Sequence, residues 1–95
     1  MWIVYIIQND STGEIYIGCT NDLKNRIEKH NSVKNKSFTR RKNGQWILIY
    51  AEAYRDKHDA FQRESKLKDN GNAKRELKKR MSNSFLHTKS GAGQG

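Results

Sequence analysis

The apolar residues of this sequence fall into six clusters, and their spacing predicts the element order β-β-α-β-α-α. The first two clusters, Ile3–Gln8 and Glu14–Gly18, are short runs rich in Val, Ile and Tyr, which favour strands. Asn9–Gly13 between them has the composition of a turn, so the two strands are predicted to pair as an antiparallel hairpin. We expect Tyr5 and Tyr16 to lie near each other on one face of this hairpin, in a register that the sequence leaves open.

The third cluster predicts an amphipathic helix that ends near Asn31. Thr20 or Asn21 would cap its N-terminus, with Asp22 in the first turn. Two pairs of residues with i, i+4 spacing form two adjacent stripes on this helix, Leu23 with Ile27 and Arg26 with His30. If the apolar stripe packs on the hairpin, the polar stripe lies along the edge that carries the tyrosines.

The longest apolar run, Trp46–Tyr54, is predicted to be the central strand of the sheet. Two further helices are predicted over Asp56–Asp69 and from about Ala73 to Ser84, with a break at Asn70–Asn72. Glu64 is an acid on a helix face whose other residues are expected to approach the core. The last helix has a Lys- and Arg-rich side opposite an apolar repeat every four residues: Ala73, Leu77, Met81 and Phe85.

The composition indicates one small domain, because 95 residues with 34% apolar content allow only a compact core. No apolar run approaches the roughly 18–20 residues of a membrane span. The N-terminus has neither the basic region nor the cleavage site of a signal peptide. Cys19 is the single cysteine, which excludes an internal disulfide and a Cys-rich zinc site. We therefore expect a reduced, cytoplasmic protein that does not enter a membrane.

The net charge of +9 is concentrated in two segments. Residues 34–42 contain five basic residues and no acid, and residues 74–89 contain six basic residues and one acid. Clustered positive charge suits a polyanion, because each neutralised phosphate releases condensed counterions. The candidate nucleic-acid-binding residues lie in a predicted exposed, mobile loop, Ser32–Gln45, and on the last helix: Lys34, Lys36, Arg40, Arg41, Lys42, Lys74, Arg75, Lys78 and Lys79. The alternatives are a solubilising basic surface and a surface attracted to anionic lipid.

Phosphodiester hydrolysis needs an activated water, positive charge at the phosphate and usually a divalent metal held by an acid. Tyr5 or Tyr16 could serve as the base, although an unperturbed tyrosine titrates near pH ~10 and would need help. Arg26 could clamp phosphate oxygens, His30 could accept the proton, and Glu64 could hold one Mg²⁺ ion. Each residue also has a purely structural explanation. The tyrosines could be strand packing, the helix pair a solvated face, and Glu64 a surface acid paired with Lys68.

Three stretches of the sequence resemble the GIY-YIG nuclease family: VYI at Val4–Ile6, YIG at Tyr16–Gly18 and NDLKNRIEKHN at Asn21–Asn31. Residues 46–54, 58–68 and 71–80 are similar to later blocks of its small single-domain bacterial members, which are related to the catalytic domain of the excision-repair nuclease subunit. The resemblance covers residues 1–85 and leaves 86–95 as a predicted disordered tail. It implies an α/β (α+β) fold in which about three helices flank a small three-stranded antiparallel sheet. It also implies a site that cleaves DNA with one Mg²⁺ or Mn²⁺ ion.

Carried over by position, the resemblance implies that Tyr5 activates the water and that Tyr16 helps to orient it. Gly18 matches the motif glycine, where a side chain would crowd the site. The first motif departs from the family at Ile3, which stands in place of glycine. The residue after YIG is Cys19, where repair-type members carry a lysine, so that this lysine's role is unfilled.

The resemblance further implies that Arg26 faces the phosphate, that His30 relays a proton and that Glu64 holds the metal ion. The family's late asparagine has no clear match in this sequence. Asn72 and Lys74 both fall in the corresponding region, and the choice between them stays open.

These observations predict a monomeric, metal-dependent endonuclease that hydrolyses DNA phosphodiester bonds, has low or structure-based specificity and acts in DNA repair or recombination. It would need no small-molecule cofactor. The rival hypothesis is a non-catalytic module that binds DNA or RNA on the same fold. A third hypothesis, an accessory protein that docks to a partner, predicts an exposed apolar patch around Trp2, Trp46 or Phe38.

Overall fold

The computed structural model of the chain describes residues 1–32 and 44–86, which form a three-stranded antiparallel sheet with three α-helices. The strands are β1 (Trp2–Asn9), β2 (Ile15–Thr20) and β3 (Trp46–Tyr54). The helices are α1 (Leu23–Asn31), α2 (Lys57–Asp69) and α3 (Gly71–Arg80), followed by one 3₁₀ turn at Ser82–Ser84. The predicted element order and the predicted three-stranded architecture are both confirmed.

The prediction that Trp46–Tyr54 is the central strand is wrong, because the strand order is β2-β1-β3. In β1 every residue from Val4 to Asn9 is buried, as expected of a strand that has neighbours on both sides and helices on both faces. In contrast, β3 lies at an edge and leaves Ile47 and Leu48 each 39% exposed. Its register against β1 also shifts between Ile6 and Ile7, an irregularity typical of sheet edges.

The side chains of β1 alternate between two cores, one on each face of the sheet. Val4 and Ile6 point to the face covered by α2 and α3, where the buried partners are Ile17, Ala60, Leu67, Leu77 and Met81. Tyr5 and Ile7 point to the face covered by α1, where they pack with the buried Trp46 and with Ile3, Tyr16, Leu23 and Ile27. The predicted apolar stripes of α1 and α3 therefore both face a core. The tyrosines belong to the α1 side.

The N-terminus of α1 is capped by Asp22, which corrects the prediction of Thr20 or Asn21. The Asp22 carboxylate accepts a hydrogen bond from the backbone N–H of Asn25 at 3.2 Å. Thr20 is instead the last residue of β2, and its hydroxyl accepts from the N–H of Asp22 at 3.0 Å. Because Asp22 is the cap, it is not part of the first helical turn.

The break between α2 and α3 is a single residue, Asn70, rather than the predicted three. Its backbone N–H bonds the carbonyl of Lys66 at the end of α2. Its side-chain oxygen accepts from the N–H groups of Asn72 and Ala73 at the start of α3, at 2.9 and 3.1 Å. One asparagine thus ends one helix and begins the next.

The predicted mobile loop and the predicted disordered tail fall almost wholly on residues 33–43 and 87–95, which lie outside the described residues. Both remain predictions, as does the domain boundary at residue 85. No helix within residues 1–32 and 44–86 is long and apolar enough to cross a membrane.

Candidate active site

Tyr5 and Gly18 lie directly opposite each other in the β1–β2 ladder. The Tyr5 ring fills the space where a side chain at position 18 would stand. A Cβ atom placed on Gly18 would lie 2.4 Å from the Tyr5 hydroxyl oxygen and 2.5 Å from Cζ. The phenol ring therefore covers the backbone of β2 at the one place where no side chain stands. Tyr5 itself is completely buried. The glycine of the YIG motif is thus required for the Tyr5 ring to take this position.

His30 joins the two tyrosines from the last turn of α1. Its Nε2 atom is 2.9 Å from the Tyr5 hydroxyl, and its ring centroid is 4.9 Å from that of Tyr16 in an edge-to-face arrangement. Tyr16 faces the same side as Tyr5 because it stands two residues before Gly18 on β2. The predicted meeting of hairpin tyrosines and polar helix stripe is confirmed in its geometry.

Both members of the Tyr5–His30 pair are held in their uncharged forms at neutral pH. The pKa of Tyr5 is raised to about 12, mainly by burial and to a smaller extent by the neighbouring Tyr16, while the guanidinium of Arg26 limits the rise. Burial also lowers the pKa of His30 from its ordinary value of 6.5, and the charge of Arg26 adds to that effect. A neutral imidazole has one bare nitrogen, so Nε2 can accept the phenolic proton when the other nitrogen carries the hydrogen.

Arg26 lies one helical turn before His30, and its positive charge acts on both members of the pair. It favours the ionised phenolate of Tyr5 and disfavours a second positive charge on His30. Because Arg26 is only partly buried, the same guanidinium remains accessible to an incoming anion.

Glu64 approaches this group from α2, on the other face of the sheet. Its carboxylate raises the pKa of Tyr5 and that of the Cys19 thiol, although for both groups burial is the larger cause. Glu64 also forms an ion pair with Lys68 at 2.9 Å, as the structural explanation of this residue anticipated. The Nζ atom of Lys68 lies 6.0 Å from the centroid of the Tyr16 ring.

The donor set fits a hard divalent cation with few protein ligands. Among residues 1–32 and 44–86 no three His, Cys, Asp or Glu side chains are grouped as a metal cage, so Glu64 would be a single carboxylate ligand. Mg²⁺ commonly keeps several waters and binds through one or two carboxylates together with substrate phosphates. Glu64 therefore suits Mg²⁺ or Mn²⁺ better than a metal that requires four protein ligands.

The sequence prediction missed two features of this region. The first is the position of Lys68, which was paired with Glu64 at i, i+4 but whose ammonium also lies near the Tyr16 ring. The second is an ionic cluster around Glu52, whose carboxylate accepts from Tyr50 and Tyr54 at 2.6 Å each and from Arg63 at 3.0 to 3.2 Å. The run YAEAY places all three β3 residues on one face, so period-2 spacing would have found it. This cluster ties β3 to α2.

The described part of the predicted nucleic-acid surface is on α3, where Arg75, Lys78 and Lys79 are exposed and Lys74 is partly exposed. Asn72 is exposed as well, and its side-chain oxygen accepts from Arg75 at 2.6 Å. The predicted loop residues lie outside the described residues: Lys34, Lys36, Arg40, Arg41 and Lys42.

The three residues named for an apolar docking surface differ in burial. Trp46 is only 2% exposed, so it cannot form such a patch. Trp2 is partly buried, and Phe38 lies outside the described residues.

Known proteins resemble the chain over most of its length. Residues 1–80 match the GIY-YIG catalytic domain. A UPF0213 protein of Desulfotalea psychrophila is 38% identical over 68 residues, which make up 70% of this chain and 60% of that protein. UPF0213 proteins of Bacillus pumilus and Staphylococcus aureus are 37% and 35% identical over 65 residues, 68% of this chain and 65% and 77% of theirs. The match thus spans less than two thirds of the first two relatives. A solution NMR structure of a UPF0213 protein from Bacillus halodurans is 33% identical, covers 81% of both chains and superposes with a TM-score of 0.49.

Proposed function

Because the chain belongs to the GIY-YIG family, whose catalytic domains are those of endonucleases, we propose that it is a metal-dependent endonuclease that hydrolyses DNA phosphodiester bonds. The observation that carries this proposal is the buried hydrogen bond between the Tyr5 hydroxyl and His30 Nε2, at 2.9 Å. A phenol and a neutral imidazole in direct contact form a proton path, and a purely structural tyrosine does not need one.

In the proposed reaction Tyr5 accepts a proton from the attacking water while its own proton passes to His30. The path requires a neutral His30, and its lowered pKa keeps the imidazole neutral at pH 7. Because the pKa of Tyr5 is about 12, almost none of the phenol is ionised at pH 7, and added positive charge would raise the phenolate fraction. The substrate would therefore be cleaved only when the cations around Tyr5 are in place. Tyr16 orients the water beside His30 in this scheme.

Positive charge reaches the phosphate through two further residues, one a cation and the other the proposed metal ligand. Arg26 clamps a non-bridging oxygen, and its charge simultaneously favours the Tyr5 phenolate. Glu64 would hold one Mg²⁺ or Mn²⁺ ion, which as a Lewis acid would polarise the phosphoryl group. The proposed hydrolysis proceeds in one step, without a covalent intermediate.

The proposed substrate is DNA, held mainly by its phosphates. The exposed cations of α3 and the net charge of +9 support backbone binding, which carries no sequence information. Specificity would then be low or structure-based, as suits a monomeric cytoplasmic enzyme of DNA repair or recombination.

The test is cleavage of labelled single-stranded, duplex and branched DNA with Mg²⁺ or Mn²⁺. We expect Glu64→Gln to lower the rate roughly 100-fold or more, the magnitude of a lost metal-ion contribution. Tyr5→Phe should lower it about 10²- to 10⁴-fold, the range of general acid–base catalysis. Glu28→Gln is the matched control, an exposed acid on the side of α1 away from Arg26 and His30 that should leave the rate unchanged. Equal cutting by the wild type and Glu64→Gln would contradict the proposal.

A non-catalytic DNA- or RNA-binding module is the second candidate, and one contact favours it. The Nζ atom of Lys68 forms an ion pair with the Glu64 carboxylate at 2.9 Å, and a binding module would keep this ion pair. Salt-sensitive binding without cleavage of any substrate, in either metal, would select this alternative.

A further inference from the structure

One side of α2 carries a stripe of functional groups that runs along the sheet towards the candidate active site. Its residues are spaced four, three and four apart, which places them on one helical face: Lys57, Phe61, Glu64 and Lys68. Eleven residues of helix rise about 16 Å, so the stripe is long enough to follow several nucleotides. Glu64 and Lys68 belong to the site described above. Lys57 and Phe61 have no role in the proposed reaction.

Phe61 is the centre of a small surface cluster with Trp2 and Lys57, here called the aromatic–lysine cluster. The rings of Phe61 and Trp2 meet edge to face, with centroids 5.7 Å apart. The Nζ atom of Lys57 stands 5.4 Å from the Phe61 centroid and 5.1 Å from that of Trp2. Phe61 is 40% exposed, and no other aromatic side chain within residues 1–32 and 44–86 is as open to solvent.

The cluster adjoins the candidate active site through Cys19. The charge of Glu64 raises the pKa of the Cys19 thiol, and the charges of Arg26, Lys57 and Lys68 lower it. Lys57 is therefore close to the same point on β2 as the candidate catalytic groups. Phe61 stands one helical turn before Glu64, so an aromatic ring and a proposed metal ligand lie side by side on α2.

We propose that the aromatic–lysine cluster binds an unpaired nucleobase of the strand whose phosphate enters the active site. This inference rests on the proposed nuclease function and names its substrate class: single-stranded DNA, or the unpaired arm of a branched molecule. Every base has a π-face, so stacking on the exposed ring of Phe61, with Trp2 beside it, tolerates any sequence. A base inside a duplex is already stacked between its neighbours and does not reach the cluster.

Charge favours a nucleic acid over an apolar partner at this surface. Within the described residues no carboxylate forms an ion pair with Lys57, so its ammonium is available to a phosphate. Stacking of a base on an aromatic ring is stronger than an exposed cation–π contact, so Lys57 leaves the ring faces when a base arrives. It then lies beside the sugar–phosphate backbone of the same nucleotide.

The test separates base contacts from phosphate contacts with two labelled 12-mers, oligothymidylate and a fully abasic strand of equal length and charge. Binding of the full-length protein to each is measured by fluorescence anisotropy without metal, so that no cleavage occurs. We expect the wild type to prefer oligothymidylate about 5- to 10-fold, the low end of base–aromatic stacking. Phe61→Leu should abolish this preference while leaving affinity for the abasic strand unchanged. Phe85→Leu is the matched control, the same substitution at a phenylalanine outside the cluster, and should keep it.

Two further variants guard against loss of folding and identify the role of the lysine. Phe61→Tyr retains an aromatic face and should restore the preference. Lys57→Gln should weaken binding of both strands equally and lower the slope of log affinity against log salt by about one. Equal wild-type affinity for the two strands, or an unchanged preference in Phe61→Leu, would overturn the inference while leaving the nuclease proposal intact. Absence of binding to either strand, together with absence of cleavage of duplex DNA, would overturn both.

Discussion

Gly18→Ala tests whether the Tyr5 ring needs the space that Gly18 leaves open. The added methyl carbon would lie 2.4 Å from the Tyr5 hydroxyl oxygen, 2.5 Å from Cζ and 2.9 Å from Cε1. All three distances are below van der Waals contact, so the phenol ring has to move. Tyr5 is completely buried, and its hydroxyl is bonded to His30, so the ring cannot move without losing that bond.

The cost follows from two contributions. Overpacking a well-packed core costs about 1–3 kcal/mol, and losing one hydrogen bond costs about 0.5–1.5 kcal/mol. The free energy of unfolding should therefore fall by about 1.5–4.5 kcal/mol, a large share of the roughly 5–15 kcal/mol of a small domain. For a domain of this size 1 kcal/mol shifts Tm by about 4–8 °C, so we expect a drop of at least about 6 °C. DNA cleavage should fall with it, because the Tyr5–His30 contact is lost.

Thermal and urea unfolding of the wild type and two glycine variants would measure this effect. Gly71→Ala is the matched control, because a Cβ at Gly71 would meet nothing within 4 Å. Gly71 is the first residue of α3, so alanine there should be neutral or slightly stabilising. In a Tyr5→Phe background Gly18→Ala should cost less, since the nearest clashing atom and the hydrogen bond are both already absent.

Equal stability of Gly18→Ala and Gly71→Ala would refute the argument, because it would mean that the Tyr5 ring has room to move. A cost that is the same with Tyr5 or Phe at position 5 would refute it in a second way. That outcome would mean that the Tyr5 hydroxyl and its hydrogen bond contribute nothing to the cost.

Two further predictions concern acid stability and the joint between α2 and α3. The lowered pKa of His30 means that the unfolded chain binds this proton more readily, so stability should fall as pH drops below the ordinary value of 6.5. Urea midpoints at several pH values should show this fall, and His30→Gln should flatten it; an equally steep fall in the variant would assign the titration to other groups. Asn70→Ala should cost about 1 kcal/mol through loss of the α3 cap. Asn72→Ala, which removes only a bond to exposed Arg75, should cost far less, and equal urea midpoints for the two variants would rule out the cap.

The hairpin and the α1 stripes were predictable because their signals are local. A turn composition at Asn9–Gly13 and i, i+4 spacing in α1 need no knowledge of distant residues, and Gly13 indeed has a positive φ of 80°. The register was not predictable, because it depends on where the turn closes, and composition alone does not locate the closing pair. The backbone N–H of Asn9 bonds the carbonyl of Glu14, and this closure sets Tyr5 opposite Gly18.

The central strand was mispredicted for a physical reason. IVYII in β1 and WILIY in β3 are equally continuous apolar runs, so hydrophobicity alone cannot rank them. The central position is a property of the assembled sheet: β1 pairs with both other strands, whereas β3 pairs with one. The prediction of the α1 cap failed for a similar reason, because Thr20, Asn21 and Asp22 are all good N-cap residues. Thr20 belongs to β2, and Asp22 is the cap.

Approach of Glu64 to the tyrosines was predictable only from the family resemblance. Nothing in the periodicity of α2 says that an acid on one face of the sheet acts on phenols on the other. The structure brings the groups together across β2, where Gly18 and the half-buried Cys19 leave the edge of the sheet thin. The catalytic roles of the predicted residues remain predictions.

The burial of Tyr5 has a consequence for how descendants of such a chain can lose activity. Tyr5 fills the core beside Gly18, so a lineage that abandons catalysis still loses stability when either residue is replaced. Glu64 is partly exposed and contacts Lys68 in one ion pair, so it can be replaced at little cost to stability. Packing alone therefore favours keeping the tyrosine and glycine of the motif in a chain that has lost activity. Packing makes no such demand on Glu64, so under the proposed function the acid on α2 is the residue that such a lineage would lose first.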